Sequence, residues 1–291
     1  MPDIPDPRPR WLLAGATGRV GRMLMRHWAA HPPAAARIVA QSRHAGPLPG
    51  PGLVWDLQGP LPAGAGPFPV IISLAGVTPG PGADLALNLP LAEAVLEAAL
   101  RTGTRRVLLA SSSAVYGRPQ GGARRETDPT RPLNPYGEAK VAMEAACAPF
   151  RERGLEVCCL RIGNVAGADM LLMNGARATA ETPLRIDQFA DGDGPRRSYV
   201  GPATLARVLE SLARHPQPLP PVLNIGAPQP VGMADLATEA GMGWGWTPAP
   251  AAAVQDITLD CSRLARLHGF VPADNSPAEM VRQWTLLRDP P

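Results

Sequence analysis

Lys140 is the only lysine of this chain, and it stands four residues after Tyr136 in the segment NPYGEAK. The other side chains that are positively charged at neutral pH are arginines. Residues four apart on a helix share one face, so the ammonium can lie near the phenol and favour the phenolate. Arg would replace Lys poorly, because it is a wide planar fork rather than a compact charge. The pair predicts acid/base chemistry of the oxidoreductase type, and the alternative is a Tyr and a Lys on a solvated helix face.

A second candidate is the glycine-rich segment GATGRVG, in which Gly15, Gly18 and Gly21 enclose Thr17, Arg19 and Val20. It follows a short apolar run and opens a helical pattern. Such glycines let the backbone approach a pyrophosphate, which the helix N-terminus then holds. By itself the segment also fits a plain tight turn, but after the first strand of a βαβ series it predicts dinucleotide binding.

The choice of dinucleotide depends on the end of the second strand. An acidic residue there accepts hydrogen bonds from an adenosine ribose, but this chain has Ser42 and Arg43. A hydroxyl and a cation suit a 2′-phosphate, and Arg19 can flank the same place. NADP is therefore favoured and NAD stays possible. The alternative is that Arg43 is one of many surface arginines.

The elements that must position these residues alternate between short apolar strands and amphipathic helices, which is typical of βαβ units and a parallel sheet. We expect strands at 11–14, 37–40, 53–55, 70–75, 107–110, 157–160 and 223–225, and helices at 20–28, 85–100, 135–153, 204–214 and 278–287. The fold class is therefore α/β, a doubly wound Rossmann sheet with a small, less regular C-terminal lobe. We assign residues 10–162 and 198–226 to the dinucleotide-binding domain, and 163–197 and 227–291 to the substrate lobe.

The composition excludes several classes of protein. A length of 291 residues with 45% apolar and 18% charged side chains is ordinary for a globular enzyme. The net charge of +3 and the scattered arginines argue against nucleic acid and against a membrane surface. The sequence has no long apolar run and no signal-like start, so we expect a cytoplasmic protein. We expect its four cysteines to be reduced core thiols, and we expect no metal site, because His27 and His31 lack a third ligand.

The motifs together resemble the extended short-chain dehydrogenases/reductases, specifically the NAD(P)-dependent epimerase/dehydratase family. The resemblance covers nearly all of residues 11–290 and rests on GATGRVG, on SSSAVYG at 111–117 and on PYGEAK at 135–140. Further matching positions are Asp56-Leu57, Ala75-Gly76, Asn88, Leu160-Arg161, Asn164-Val165, Asn224-Ile225-Gly226 and Asp260-Cys261-Ser262-Arg263.

The resemblance implies roles for individual residues. Tyr136 would be the catalytic acid/base, Lys140 would bind the nicotinamide ribose and lower the pKa of the phenol, and Ser112 would be the catalytic serine. Tyr116 would serve packing. The implied cofactor-binding residues are Gly15, Thr17, Gly18, Arg19, Val20, Gly21, Ser42, Arg43, Asp56, Leu57, Ala75, Gly76, Lys140 and Ile162. The implied substrate-binding residues are Ser113, Asn164 and Arg197.

Departures from the family pattern narrow the chemistry. Family members that dehydrate sugars have an Asp-Glu pair directly after the catalytic serine, where this chain has Ser113 and Ala114. Members that epimerise by proton abstraction at carbon have a Cys at the position of Ala114. Arg197 matches an arginine that grips the diphosphate of nucleotide sugars. The segment from Val200 to Thr204 lacks the usual His-Val-Asp-Asp, and the lobe is short, which weakens a nucleotide-sugar assignment.

Three functions stay open at this point. The first is hydride transfer at a secondary alcohol or ketone of a sugar or nucleotide sugar by a Ser-Tyr-Lys mechanism. The second is NADPH-dependent reduction of a small non-nucleotide carbonyl compound. The third is a non-catalytic NADP-sensing regulator, against which the intact Ser112, Tyr136 and Lys140 argue. The family's habit also implies a homodimer through the helices at 88–100 and 136–153.

Overall fold

The computed structural model describes residues 8–33, 36–46, 49–119, 121–175, 178–179 and 182–289. The strands are β1 (Arg10–Ala14), β2 (Arg37–Ser42), β3 (Gly52–Val54), β4 (Val70–Ser73), β5 (Arg106–Ser112), β6 (Glu156–Ile162), β7 (Asn164–Val165), β8 (Leu184–Gln188), β9 (Arg196–Arg197), β10 (Tyr199–Val200), β11 (Val222–Ile225), β12 (Val231–Gly232), β13 (Trp244–Pro248) and β14 (Asp256–Ile257). The helices are α1 (Arg19–Ala30), α2 (Asn88–Arg101), α3 (Pro135–Ala145), α4 (Ala148–Glu152), α5 (Met170–Gly175), α6 (Pro202–Arg214), α7 (Met233–Glu239), α8 (Ser262–Ala265) and α9 (Pro277–Leu287). Short 3₁₀ turns cover Leu85–Leu87, Ser113–Tyr116 and Pro272–Asn275.

Seven parallel strands form the central sheet in the order β3-β2-β1-β4-β5-β6-β11. The chain starts in the middle, builds outward to β3 and then returns to build outward from β4. The strand order therefore reverses between β1 and β4. In a doubly wound sheet, ligands bind in the crevice outside the carboxyl ends of the strands at such a reversal. The predicted α/β Rossmann class is confirmed.

Both faces of the sheet are covered by apolar side chains. Leu13 packs into a cluster that includes Leu24 of α1 and Leu209 of α6, while its neighbour Leu12 packs into a second cluster that includes Leu96 of α2. Successive residues of a strand point to opposite faces. A strand that is buried on both faces is therefore apolar at most positions, which is why these strands contain short apolar runs.

Two of the expected helices are shorter than predicted because of proline. The helix expected from Leu85 begins as a 3₁₀ turn capped by the Asp84 side chain, and α2 starts at Asn88. Pro90 has no amide hydrogen, and its ring would meet the carbonyl of Ala86 in a continuous helix. The helix expected over 135–153 is likewise divided into α3 and α4, with Pro149 in the first turn of α4.

A fully buried arginine joins the sheet to α6. The Arg106 side chain is 0% exposed, and its Nε donates to Glu156 Oε1 at 2.7 Å. Its two Nη atoms donate to carbonyls of Leu212, His215 and Gln217 at 2.5–2.9 Å. The last carbonyls of a helix have no partners within the helix. One side chain therefore satisfies the C-terminal end of α6 and fixes it against β5.

The remaining elements form small sheets. β9 pairs with β12 and β14, β8 with β13, and β7 with β10. This agrees with the less regular C-terminal part expected from the sequence, and the division into two domains stays a prediction. None of the described helices has the length and apolarity that crossing a membrane requires.

Candidate active site

The glycine loop between β1 and α1 lies at the reversal of strand order. Gly15 has φ +79°, and a Cβ there would lie 2.6 Å from the amide nitrogen of Ala75. A Cβ at Gly21 would lie 2.4 Å from the carbonyl oxygen of Gly15. The N-cap residue of α1, Gly18, offers no side-chain cap. The first amides of α1 therefore remain available to an anion such as a pyrophosphate.

Gln41 holds this loop and was missed by the sequence analysis. The side chain is 2% exposed, its Oε1 accepts from the amide of Gly15 at 2.8 Å, and its Nε2 donates to the carbonyl of Trp55. A neutral amide therefore stands beside the glycine loop at the end of β2. The hydroxyl of the next residue, Ser42, donates to the carbonyl of His44 at 2.7 Å.

The residues expected to distinguish the two dinucleotides have different surroundings in the structure. Arg43 is exposed, whereas Arg19 lies in the cleft wall, with Nη2 3.3 Å from Thr78 Oγ1 and Nη1 against Met173 of α5. The contacts of Arg19 are thus with Thr78 and Met173, and the roles of Arg19 and Arg43 in the choice of dinucleotide stay predictions. Asp56 accepts from the amides of Gln58 and Gly59, which lower the pKa of its exposed carboxyl.

A cavity of about 380 Å³ opens at the carboxyl ends of the strands. Its walls contain eleven of the residues implied by the family resemblance: Gly15, Gly18, Arg19, Val20, Gly21, Gly76, Ser112, Tyr136, Lys140, Ile162 and Asn164. The wall also includes residues to which the sequence analysis gave no role in the site: Leu74, Val77, Thr78, Ala110, Ser111, Gly163, Val165, Ala168 and Asp169. Among the implied residues in the described ranges, those outside this wall are Thr17, Ser42, Arg43, Asp56, Leu57, Ala75, Ser113 and Arg197.

Ser112, Tyr136 and Lys140 meet on one side of the cavity. Ser112 ends β5, and the other two lie one turn apart on α3. Burial raises the pKa of the Tyr136 phenol, and a hydrogen bond with Ser112 offsets part of that rise. The Lys140 Nζ lies 5.9 Å from the centre of the Tyr136 ring. A hydroxyl, a phenol and an ammonium around one cavity can bind a carbonyl or alcohol oxygen and exchange a proton with it.

Lys140 is 4% exposed, and its ammonium has neutral acceptors. Its Nζ donates to the carbonyl of Ala110 at 3.0 Å and lies 3.8 Å from Met143 Sδ. Burial lowers the pKa of Lys140 to about 8. Space beside it is tight, because a Cβ at Gly76 would lie 3.2 Å from Nζ and 2.7 Å from Asn88 Oδ1.

The start of α3 brings Tyr136 close to Ser112. Asn134 caps the helix by accepting from the amide of Gly137 at 2.8 Å, and Pro135 occupies the first helical position, which suits its fixed φ. At Gly137 the helix lies so near the 3₁₀ turn after Ser112 that a Cβ would be 2.6 Å from the carbonyl oxygen of Ala114. A glycine between the tyrosine and the lysine therefore permits this approach.

A smaller cavity of about 200 Å³ adjoins the first, and Gly163 and Asn164 line both. It brings together Ser113, Asn164 and Arg197, which the family resemblance implies for substrate binding. Arg197 Nη1 donates to the carbonyls of Arg196 and Gln255 at 2.8 and 2.6 Å, and Nη2 donates to that of Val254 at 3.2 Å. These bonds use three of the five N–H groups of a guanidinium. Burial lowers the pKa of Arg197.

A charged residue on a helix is usually solvated, but Glu144 on α3 is nearly buried. Its carboxylate accepts from Ser111 Oγ at 2.6 Å and forms a bidentate ion pair with Arg161 on β6. The Arg161 guanidinium stacks 4.7 Å from the ring centre of Tyr116, which is 1% exposed and therefore packs as expected. One feature of the sequence could have indicated the burial of Glu144, which is its position one helical turn after Lys140.

Comparison with known proteins identifies the family to which this chain is related. The sequence profile described as "NAD dependent epimerase/dehydratase family" matches residues 70–226. A UDP-glucose 4-epimerase of Halalkalibacterium halodurans is 41% identical over 76 residues, which are 26% of this chain and 23% of that protein. The chain thus aligns with about a quarter of the length of this relative.

Two further comparisons extend over most of the chain. The dTDP-6-deoxy-L-talose 4-dehydrogenase (NAD(P)(+)) of Kitasatospora kifunensis is 30% identical over 242 residues, covering 75% of this chain and 73% of that protein. The structure of TunA, an NAD-dependent NDP-hexosamine 5,6-dehydratase, superimposes with a TM-score of 0.77 over 97% of this chain and 99% of that one, at 21% identity. The latter shows the fold. With the profile match and the relative aligned over its length, the chain belongs to the NAD-dependent epimerase/dehydratase family of the extended short-chain dehydrogenases/reductases.

Proposed function

We propose that this protein is an NAD(P)-dependent oxidoreductase that transfers hydride at a secondary alcohol or ketone of a nucleotide sugar. One observation carries the proposal: the glycine loop and the Ser112–Tyr136–Lys140 set line one cavity at the reversal of strand order. A phosphate-binding turn and a proton-transfer group around the same space are what a dinucleotide-dependent carbonyl reaction requires.

The chain's own groups fit a dinucleotide. Because glycines line the cleft at Gly15, Gly18 and Gly21, the backbone borders the space where a pyrophosphate would lie, and the α1 amides would hold it. Lys140 would bind the nicotinamide ribose. When bound, the nicotinamide supplies or accepts the hydride.

The Ser112–Tyr136–Lys140 set would carry out the proton transfer. Tyr136 would give a proton to, or take one from, the substrate oxygen, and Ser112 would donate a hydrogen bond to that oxygen. The positive charge of Lys140 would favour the phenolate and so bring the pKa of Tyr136 toward the operating pH, where a general acid/base works best.

The nucleotide-sugar assignment rests on the relatives and on Arg197. The relatives named above act on UDP- and dTDP-sugars. In the adjoining cavity, the bonds of Arg197 leave two of its five N–H groups, which is the number that a bidentate contact with a phosphate uses. Ser113 and Asn164 of the same cavity would contact the sugar.

The size of this second cavity favours a second candidate function. About 200 Å³ is below the range of about 300–1,000 Å³ usual for small-molecule sites. An NADPH-dependent reductase of a small, non-nucleotide ketone would need no more than this space next to the cavity that Tyr136 lines.

The preference between NADP and NAD is a separate proposal. Gln41 places no negative charge beside the glycine loop, so a 2′-phosphate would meet no repulsion there, and the exposed Arg43 follows one residue beyond Ser42. NADP is therefore our first choice. Arg43→Ala should weaken NADPH binding about tenfold or more and leave NADH binding unchanged, since a charge-assisted hydrogen bond contributes about 1.5–3 kcal/mol.

The test begins with the purified protein. Any dinucleotide released on denaturation is identified, and the emptied protein is titrated with NADPH and NADH. Turnover is then measured with UDP-glucose, a dTDP-deoxysugar and a small ketone. Oxidised dinucleotide retained through purification, with conversion of a nucleotide sugar, supports an epimerase-type reaction, whereas empty protein that consumes NADPH with the ketone supports the reductase.

Variants of the acid/base set complete this test. Tyr136→Phe should lower turnover by about 100-fold or more, the usual contribution of general acid/base catalysis, and should retain dinucleotide binding. Ser112→Ala should lower turnover as well, and Ser113→Ala is its matched control with a predominant effect on KM. Full turnover by Tyr136→Phe would contradict the mechanism. A homodimer through α2 and α3 stays a prediction, which light scattering checks.

A further inference from the structure

Glu144 is a nearly buried carboxylate that the proposed reaction does not use. Its side chain is 10% exposed, and that of its partner Arg161 is 6% exposed. Arg161 Nη2 donates to Glu144 Oε2 at 2.7 Å, and Nε donates to Oε1 at 3.0 Å. Placing two charges away from water is costly, and the cost is offset only when the geometry is good and the remaining polar atoms are paired. Such a pair therefore calls for an explanation beyond stability.

The ion pair is extended on one side by a hydrogen bond and on the other side by a stacking contact that leads to a second hydrogen bond. On one side Ser111 Oγ donates to Glu144 Oε1 at 2.6 Å. On the other side the guanidinium of Arg161 stacks on Tyr116, whose hydroxyl donates to Asn224 Oδ1 at 2.7 Å. The network joins α3 to the carboxyl ends of β5, β6 and β11, where the candidate active site lies.

Two members of the candidate active site are direct neighbours of this network. Ser111 precedes Ser112 on β5, so a bond that fixes Ser111 to α3 also fixes the strand end that carries the serine. Lys140 stands one helical turn before Glu144, and residues four apart on a helix are neighbours. The carbonyl that accepts from Lys140 Nζ belongs to Ala110, the residue before Ser111.

We propose that Glu144 is a positioning residue for the Ser112–Tyr136–Lys140 set: through Ser111 and Arg161 it fixes α3 on the strand ends, and its charge favours the ammonium form of Lys140. The inference rests on the proposed function for its significance and on the contacts of Glu144 for its evidence. It assigns to the negative charge a role that a merely structural side chain would not have.

The charges around Lys140 support this role. From its own helix it is faced by the phenol of Tyr136 and the carboxylate of Glu144, and from β6 by the thiol of Cys159. The hydrogen bond with Cys147 and burial raise the pKa of Cys159 well above its ordinary value, so this thiol is neutral where Lys140 titrates, and the same bond lowers the pKa of Cys147. Of the two groups whose charge raises the pKa of Lys140, Cys159 and Glu144, Glu144 is therefore the one that is ionised there, and Arg161 lies behind it.

The effect of removing that charge has a definite sign. The pKa of Lys140 is already lowered to about 8 by burial. Glu144→Gln removes the anion and leaves the positive charge of Arg161 unpaired, so the pKa of Lys140 falls further. The ammonium is then lost at lower pH, and the alkaline limb of the activity profile moves to lower pH with it.

The single lysine of this chain makes the test direct. Protein grown with 13Cε-labelled lysine, and without lysine in any added tag, gives one side-chain signal, which belongs to Lys140. Its chemical shift is followed from pH 6 to 11 in wild type, Glu144→Gln and the control Glu138→Gln, which removes an exposed carboxylate of the same helix. We expect a pKa lower by about one unit in Glu144→Gln, as for loss of a nearby opposite charge, and no change in Glu138→Gln.

A double variant separates charge from folding. Glu144→Gln with Arg161→Met removes both buried charges, so it keeps the fold where the single variant is unstable, and circular dichroism is recorded for each. The expected order of the Lys140 pKa is wild type, then the double variant, then Glu144→Gln. An unchanged pKa in the folded variants, or an equal shift in Glu138→Gln, overturns the proposal. Because the titration needs neither substrate nor dinucleotide, it is decided independently of whether the proposed function is right.

Discussion

Gly137→Ala tests how closely α3 approaches the turn that carries Ser112. Gly137 lies between Tyr136 and Lys140 in the first turn of α3, and Ala is favoured over Gly in a helix by up to about 1 kcal/mol. On propensity alone the variant would be more stable than wild type. The structure predicts the opposite, because the new methyl group has no room.

The magnitude follows from the distances around Gly137. A Cβ would lie 2.6 Å from the carbonyl oxygen of Ala114 and 2.8 Å from Pro132 Cβ, whereas ordinary contacts begin near 3.4 Å. The helix and the turn must therefore separate by roughly 0.8 Å. Overpacking of this kind costs about 1–3 kcal/mol, so after the gain in propensity we expect a net loss of about 1 kcal/mol. A displacement near 1 Å at reacting groups costs about 100-fold in rate, so turnover should fall at least about tenfold.

The measurements are urea unfolding and turnover with the substrate that wild type accepts. Gly269→Ala is the matched control, because a Cβ there meets no atom within 4 Å and the backbone is not in the left-handed region. Its stability and turnover should be close to those of wild type. If Gly137→Ala were more stable than wild type with normal turnover, the gain in helix propensity would exceed any cost of overpacking. The close approach of α3 to the Ser112 turn would then be refuted.

Two further predictions concern the core. Arg106→Met should destabilise the protein by about 3–5 kcal/mol in urea unfolding, since it removes the buried partner of Glu156 and the donor to the carbonyls of Leu212, His215 and Gln217. Arg105→Met, which changes a half-exposed neighbour with a longer contact to Glu156, should have a much smaller effect. Burial raises the pKa of Cys158 and Cys261 to about 12, so a thiol reagent at pH 8 should label them only after denaturation. Rapid labelling of the native protein at these positions would contradict their burial.

The fold was predictable because its signals are local. Most strands of the central sheet contain a short apolar run, the glycines of the loop form one motif, and Tyr136 and Lys140 are separated by one helical turn. The prolines were equally local signals: Pro90 and Pro149 mark the places where the expected helices begin or divide. These features depend on neighbours along the chain, so the sequence displays them directly.

The contacts missed from the sequence are those between distant segments. Gln41 is ordinary by composition, and its importance comes from reaching Gly15 and Trp55 across 26 and 14 residues of chain. The pairing of Glu144 with Arg161 likewise joins a helix to a strand. A charged residue on a helix is solvated in most proteins, and only the packing of that helix shows that this one is not.

The presence of one lysine among many arginines has a physical explanation in these contacts. Arg106 and Arg197 each spread several N–H groups over backbone carbonyls, which a planar fork does well and a single ammonium does not. The space beside Lys140 is different, because the backbone of Gly76 and the side chain of Asn88 border the position of a single nitrogen. A compact ammonium therefore suits this position, and that constraint does not apply at the positions of the arginines.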